Sequence, residues 1–236
     1  MSHTTSAQQP PSRESLTEIL RSLPMFADAD EASLAEMATS AVWRTYQPGQ
    51  MVFLEGESAP ALYVLEQGWL KVVKVSPDGR EQVLRFLGPG ESFNEVGVFT
   101  NRPTPATAIA LEEAGLWLIH KQTVQNVLLR HPRVALGVVE RMAERVLQLV
   151  TLAADLSLRS VEARLARLLL EEARDGVMER RRWTTQAELA ARLGTVPDVL
   201  NRALRGLSEA GLIQVDRRQI RILDREGLGQ KAMLEG

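Results

Sequence analysis

Three kinds of hydrophobic spacing follow one another along the 236-residue chain. "RESLTEILRSLPMF" and "DEASLAEMATSAV" place apolar residues three and four apart, which predicts two short amphipathic helices. From Trp43 to about Ile119 the period shortens. "MVFLE", "ALYVLEQG", "WLKVVKV" and "EQVLRFL" alternate or run apolar between turn signals at "QPGQ", "EGES", "SPDG" and "GPGE". Several strands at this spacing, with no helices between them, predict an antiparallel barrel or jelly roll. "KVSPDGREQ" predicts a hairpin in which Asp78 and Gly79 take the positive-φ positions of the turn.

Helical spacing returns at "KQTVQNVLLR", and His131-Pro132 interrupts it. Proline costs nothing at the first position of a helix, where its missing N–H has no partner, so a new helix is predicted from Pro132 to about Leu156. Ala135, Met142, Leu149 and Leu156 fall seven apart, and Val138, Arg145 and Leu152 make a second row. Such a stripe suits a two-stranded parallel coiled coil, with Arg145 its one polar member. Val138, Met142, Arg145, Leu149, Leu152 and Leu156 are therefore the expected dimer contacts. Val134, Val139, Val146 and Val150 form a second apolar flank, available to the helix's own domain. A single helix packed only on its own domain is the plainer reading of the same stripe.

Beyond a hinge at "DLSLRS", "SVEARLARLLLEEARD" predicts a further amphipathic helix. Thr185 and Glu188 have capping-box spacing, so a helix should start at "QAELAARL" and stop at Gly194. "PDVLNRALRGLSEAG" follows, with Pro197 in its first turn and Gly211 at its end. Two short helices joined by a glycine-containing turn make a helix-turn-helix. "LIQVDRRQIRIL" then alternates and turns at Asp216-Arg217-Arg218, a β-wing. The expected organisation is a polar, disordered tail over 1–12, a sensor barrel with flanking helices over 13–131, a dimerisation helix over 132–156, and a winged helix-turn-helix over 157–236.

Composition narrows the chemistry. Without cysteine there can be no disulfide, thiolate zinc site or cysteine-ligated iron–sulfur cluster. No apolar run reaches the roughly 18 to 20 residues that span a bilayer, and the polar N-terminus lacks the pattern of a signal peptide, so a cytoplasmic, non-membrane protein is expected. The net charge of −2 hides an asymmetry. Residues 1–157 hold 13 Lys and Arg against 18 Asp and Glu, whereas 158–236 hold 15 against 12, and 14 of those 15 cations are arginine. The planar guanidinium fork suits phosphate and guanine, although helix-face salt bridges could absorb much of this small excess.

The order of parts is specific. Pro48-Gly49, Glu55-Gly56-Glu57, Tyr63, Gly68, Lys71, the "LGPGE" turn and Glu95-Val96-Gly97 resemble a cyclic-nucleotide-binding-type barrel. With the long helix and the winged helix, residues 13 to about 224 resemble the Crp/Fnr superfamily of transcription regulators. The resemblance implies an α+β protein: an antiparallel β jelly-roll barrel, a dimerisation helix and a C-terminal winged helix-turn-helix. It also implies a non-enzymatic homodimer on pseudo-palindromic double-stranded DNA, with an effector in the barrel and RNA polymerase as a further partner if the protein activates.

In such a protein the second helix of the motif lies in the major groove. Arg202 matches the family arginine that reads guanine, a bidentate contact worth about 1–3 kcal/mol of discrimination, with a phosphate contact or an Asp198 salt bridge as the plainer role. Asp198 stands at the usual glutamate position, one methylene shorter. Val199, Asn201 and Arg205 complete the reading face, and Asn201 or Val199 can reshape readout. Pro197 replaces a contacting arginine of many relatives, so the family operator is not expected here. Thr185, Arg217 and Arg218 are expected on phosphates, which fix register.

The resemblance places an effector pocket at Asn94, Glu95, Val96, Thr104, Thr107, Leu149 and Val150. Nucleotide-binding relatives follow the glutamate with an Arg-Ser pair for the phosphate. Here that pair falls on Thr104-Pro105 or Pro105-Ala106, and Arg102 sits nearby as the one substitute. Leu149 and Val150 stand where cAMP receptors present hydroxyls to the purine. Cyclic AMP is therefore disfavoured, and no cofactor or metal is expected. Haem-based gas sensing is the alternative within the fold, with His3, His120 and His131 the available histidines and a proline or methionine ligand still open. A ligand-gated protein-interaction module without DNA binding is the alternative in another class. An enzyme would need converging acid, base or metal groups, and Glu95 alone does not make such a site.

Overall fold

The computed structural model describes residues 10–233. The polar tail expected over 1–12 lies outside them up to residue 9, and Ser12 is already the N-cap of the first helix. The chain forms two compact units, Met1–Lys74 with Leu84–Val146, and Val75–Val83 with Leu147–Gly236.

In the first unit, α1 (Arg13–Ser22) and α2 (Glu31–Ser40) flank a 3-10 turn at Pro24–Phe26. Their starts are set by side chains: Ser15 N–H donates to Ser12 Oγ at 3.1 Å, and Ser33 N–H to Asp30 Oδ1 at 2.8 Å. Each such cap is worth about 1 kcal/mol. The strands β1 (Val42–Tyr46), β2 (Met51–Phe53), β3 (Ala61–Gln67), β4 (Leu70–Val75), β5 (Glu81–Leu87) and β6 (Glu91–Phe93) follow. After the short helix α3 (Glu95–Phe99), β7 (Thr107–Ala110) and β8 (Ala114–His120) complete two four-stranded sheets, ordered β1-β8-β3-β6 and β2-β7-β4-β5.

Phe53, Tyr63, Leu65, Leu70, Phe93 and Leu116 come from both sheets and fill the barrel between them. The other face of β3 and β8 offers Leu62, Val64, Trp117 and Ile119 to the helices. β3 is thus buried on both sides, which is why "ALYVLEQG" reads as a run and not an alternation.

The hairpin between β4 and β5 forms, but its turn differs from expectation. Among the described residues only Asn94 and Asp175 are non-glycines with positive φ, so Asp78 is not left-handed. Ser76 N–H donates to Arg80 O at 2.9 Å and Gly79 N–H to Ser76 O at 2.8 Å. This three-residue loop closes on one left-handed residue, Gly79, where a two-residue turn would need two.

Helix α4 (Lys121–Arg130) ends at His131, and α5 (Pro132–Leu158) opens on Pro132. The structure places one end of the expected dimer row inside its own unit, while Leu149 of that row stays exposed. Val138 is 5% exposed and packs with Val134 in the core of its own unit, and Met142 packs against that core. Leu136, Val139, Val146 and Val150 are exposed instead, at the three- and four-residue steps of a seam that also includes Ala143. The two apolar rows lie side by side on one helix, and spacing alone cannot say which of them the barrel takes.

In the second unit, α6 (Val161–Glu172), β9 (Val177–Glu179), α7 (Gln186–Arg192), α8 (Pro197–Glu209), β10 (Ile213–Val215), β11 (Gln219–Ile222) and α9 (Arg225–Met233) follow in order. Leu165, Leu169, Leu189, Leu200, Leu207 and Ile220 form its core. Leu156, expected at the dimer seam, is half-buried and lies beside Gly194 within this unit. Leu152 is half-buried too. No helix among the described residues is long and apolar enough to cross a membrane.

Candidate functional site

The helix-turn-helix is built from its turn outward. Glu188 N–H donates to Thr185 Oγ1 at 3.1 Å and starts α7. The reciprocal half of the expected capping box is replaced, because Thr185 N–H donates to Trp183 O at 2.8 Å. Gly194, at φ 64, turns the chain. Thr195 N–H donates back to Ala190 O, and Val196 O accepts from Leu200 N–H to open α8. Pro197 is the first residue of that helix, where φ near −65° is already right.

Burial divides α8 cleanly. Leu200, Ala203, Leu204 and Leu207 face the core, and Asp198, Arg202 and Arg205 stand exposed on the opposite side. Val199 and Asn201 are half-buried at its margins. Among the described residues no salt bridge ties Arg202 to Asp198. β10 pairs with β11 in the wing, and Asp216 N–H donates to Gln219 O at 2.9 Å, leaving Arg217 and Arg218 exposed at its tip. Thr185 spends its lone pair on the cap, which leaves its hydroxyl proton to donate outward.

The sensor residues are placed differently from expectation. Asn94 is buried at φ 72 and its amide donates to Ala59 O at 2.7 Å and Ala61 O at 2.8 Å. It is a brace, not a pocket donor. A Cβ on Gly97 would come within 2.2 Å of that same Ala59 oxygen, so only glycine lets α3 lie so close to β3. Thr104 is 2% exposed and donates to Leu54 O at 2.6 Å, while Thr107 Oγ1 accepts from Glu55 N–H at 3.0 Å. Both threonines are thus consumed inside the barrel. Val96, Leu149 and Val150 are exposed, and Arg102 is exposed in the loop before β7.

Glu95, at the start of α3, has a cation that sequence reasoning assigned elsewhere. Burial, with Arg85 beside it, holds the Arg145 guanidinium below its ordinary value, while Glu95 and Glu91 pull it upward. Arg145 of α5 therefore belongs to a group with Arg85, Glu91 and Glu95 within the first unit. Arg85 pairs with Glu91, whose second oxygen accepts from Gly88 N–H at 2.7 Å. The signal in the sequence was Arg145 itself, an odd arginine in an apolar row.

The remaining polar candidates are occupied or outside. His131 Nε2 is 2.8 Å from Ser33 Oγ and 3.8 Å from Asp30 Oδ2. The Ser33 hydroxyl and amide hold the Asp30 carboxyl below its usual value. His120 is exposed, and His3 lies outside the described residues. Among the described residues no group of three or more His, Cys, Asp or Glu could hold a metal ion.

Residues 43–131 match the cyclic nucleotide-binding domain family, and residues 163–231 match the Crp-like helix-turn-helix domain family. The cyclic AMP receptor protein of Thermus thermophilus is 30% identical over 173 residues, 73% of this chain and 79% of that one. A CRP-like cAMP-activated global transcriptional regulator of Mycobacterium tuberculosis is 26% identical over 223 residues, 92% of this chain and 100% of that one. FixK2 of Bradyrhizobium japonicum shares the fold, with a TM-score of 0.70 at 22% identity over 80% of this chain and 96% of that one. The chain belongs to the Crp/Fnr superfamily of non-enzymatic, DNA-binding transcription regulators.

Proposed function

We propose that this regulator acts as a cytoplasmic homodimer on a pseudo-palindromic operator, with α8 in the major groove and a signal other than cyclic AMP, or no signal, in the barrel. The observation that carries the dimer is the exposed apolar seam of Leu136, Val139, Ala143, Val146 and Val150 on α5. A monomer would leave that row in water at about 25 cal/mol per Å². Arg202 reads a guanine, Asp198, Val199, Asn201 and Arg205 set the neighbouring positions, and Thr185, Arg217 and Arg218 hold phosphates.

Two relatives carry cyclic AMP in their names. Against cyclic AMP here stands the absence of arginine from Thr104 to Ala106, with Thr104 already bonded to Leu54 O. A phosphate buried there without a cation would pay its desolvation uncompensated. Haem sensing through His131 draws no support at Nε2, which is engaged with Ser33 Oγ. RNA polymerase is the further partner if the protein activates.

Native mass spectrometry with an absorbance spectrum tests the assembly and any retained ligand together. A dimer mass without a Soret band is expected, and a monomer at micromolar concentration would refute the dimer. A gel-shift assay on genomic fragments, with and without cyclic AMP, tests the rest. Binding that is salt-sensitive and indifferent to cyclic AMP is expected, whereas no DNA binding at any salt would favour a protein-interaction module.

A further inference from the structure

The stretch "DLSLRS", Asp155 to Ser160, reads in the sequence as a hinge. The structure fills it with bonds. Asp155 to Leu158 stay helical, and only Arg159 and Ser160 separate α5 from α6. Ser160 Oγ accepts from Ala163 N–H at 3.2 Å and starts α6 at once. Leu147–Leu158, roughly the last three turns of α5, belong with the second unit.

Asp155 is the centre of this joint, its side chain 19% exposed. Its Oδ1 accepts from Arg159 Nε at 2.9 Å and from Arg167 Nη1 of α6 at 3.0 Å. Burial holds the guanidinium of Arg164, also on α6, below its ordinary value, and Asp155 pulls it upward. Arg159 in turn reaches α9, where its Nη1 donates to Ala232 O. Lys231 of α9 pairs with Glu162 of α6 at 3.1 Å. One position beyond Asp155, Leu156 lies against Gly194, the turn of the helix-turn-helix. Three elements of the second unit thus grip the end of α5. Val150, the last residue of the exposed apolar seam, stands five residues before Asp155 on the same helix and in the same unit.

We propose that Asp155 is a positioning residue that fixes α8 relative to the dimer seam, so that the protein selects the spacing of its two half-sites as well as their sequence. The proposal rests on the dimeric DNA-binding reading and adds spacing to it. The two α8 helices of a dimer must enter successive major grooves, about 34 Å apart. One base pair added between the half-sites moves one of them by about 3.4 Å and turns it by about 35°. A free hinge at 155–160 would follow that displacement. A joint held by α6, α9 and the turn before α8 does not, because hydrogen bonds between opposite charges are the strong ones and removing one partner leaves the other unmatched.

Fluorescence anisotropy tests this with an operator selected from random-sequence DNA, the same operator with one base pair added or removed at its centre, and an isolated half-site. The wild type should lose about tenfold or more in affinity when the spacing changes, because the DNA must twist or bend to restore the register. Asp155→Ala should bind the three operators with nearly equal affinity and the half-site as the wild type does. Arg167→Gln, which removes one of the two bonds to Asp155, should fall between them. A wild type indifferent to spacing, or an Asp155→Ala protein that keeps the wild-type preference, overturns the role and leaves DNA binding standing. Equal loss on every duplex, half-site included, overturns it too, because Asp155 would then only hold the fold together. If circular dichroism shows Asp155→Ala unfolded, Arg167→Gln decides by the same comparison. A wild type that binds no DNA, or gains nothing from the second half-site, removes the role and the underlying reading together.

Discussion

The hydroxyl of Thr104 donates to the carbonyl oxygen of Leu54 at 2.6 Å, in the stretch Thr104 to Ala106 onto which the resemblance sets the relatives' Arg-Ser pair. Thr104 is thereby tied to its own barrel. A ligand present at 100 times its Kd would stabilise the protein by about 2.7 kcal/mol, several degrees for a domain of this size. Cyclic AMP at millimolar concentration is expected to leave the melting temperature unchanged. A rise of several degrees in differential scanning fluorimetry would place the nucleotide in the barrel after all. Thr104→Val should cost about 0.5–1.5 kcal/mol, the worth of the hydrogen bond that the buried threonine donates to Leu54 O.

Arg202 is exposed one turn beyond Asp198, on the side of α8 away from Leu200 and Leu204. Arg202→Ala should leave stability within about 0.5 kcal/mol and remove the preference for operator over random DNA. A competition shift assay measures the ratio. Selectivity equal to that of the wild type would assign base reading to other residues.

The two apolar rows of α5 make opposite predictions. Val146→Glu should yield a folded monomer with a nearly unchanged melting temperature at low concentration. Val138→Glu, 5% exposed, should unfold the first unit by burying an unpaired charge. Sedimentation velocity and thermal melting on both proteins separate dimer loss from fold loss, and a dimeric Val146→Glu would move the seam elsewhere.

Asn94 combines a left-handed backbone with two amide donations. Asn94→Gly keeps the backbone and should cost about 1–3 kcal/mol for the two buried amide donations it removes, although Ala59 O still accepts from Ala61 N–H. Asn94→Ala should cost about 1–2 kcal/mol more, because alanine resists φ 72. Urea melts of the pair measure the gap, and equal midpoints would refute the conformational share of it.

Much of this was legible in one chain. Periodicity located the helices up to α8 other than α3 and the strands β2 to β5, and left β1, β6, β7 and β8 as an undivided strand region. The glycine and proline punctuation placed α7, α8 and the wing within a residue or two. The short α3 was missed because "NEVGVF" has too few positions to show a period. β9 and α9 were missed for the same reason: three residues in one, a weak apolar face in the other. Pocket roles were the least legible. Asn94, Thr104 and Thr107 have the polarity of ligand donors, and only tertiary contact reveals that Ala59, Leu54 and Glu55 already claim them. Heptad spacing could not reveal that Arg145 has Arg85, Glu91 and Glu95 as charged neighbours, because those residues are distant in sequence.

β3 is a partition with a room on each side. Tyr63 and Leu65 stand in the barrel, whereas Leu62 and Val64 stand among α1, α2 and the first turns of α5. Interiors packed to crystal density do not stretch, so the wall cannot yield on one side alone. Tyr63 packs in the barrel cluster, and its strand neighbours Leu62 and Val64 pack in the cluster that holds Val134 and Val138 of α5. A single strand of seven residues thus serves two interiors, and a change of volume on either face has to be absorbed within the first unit.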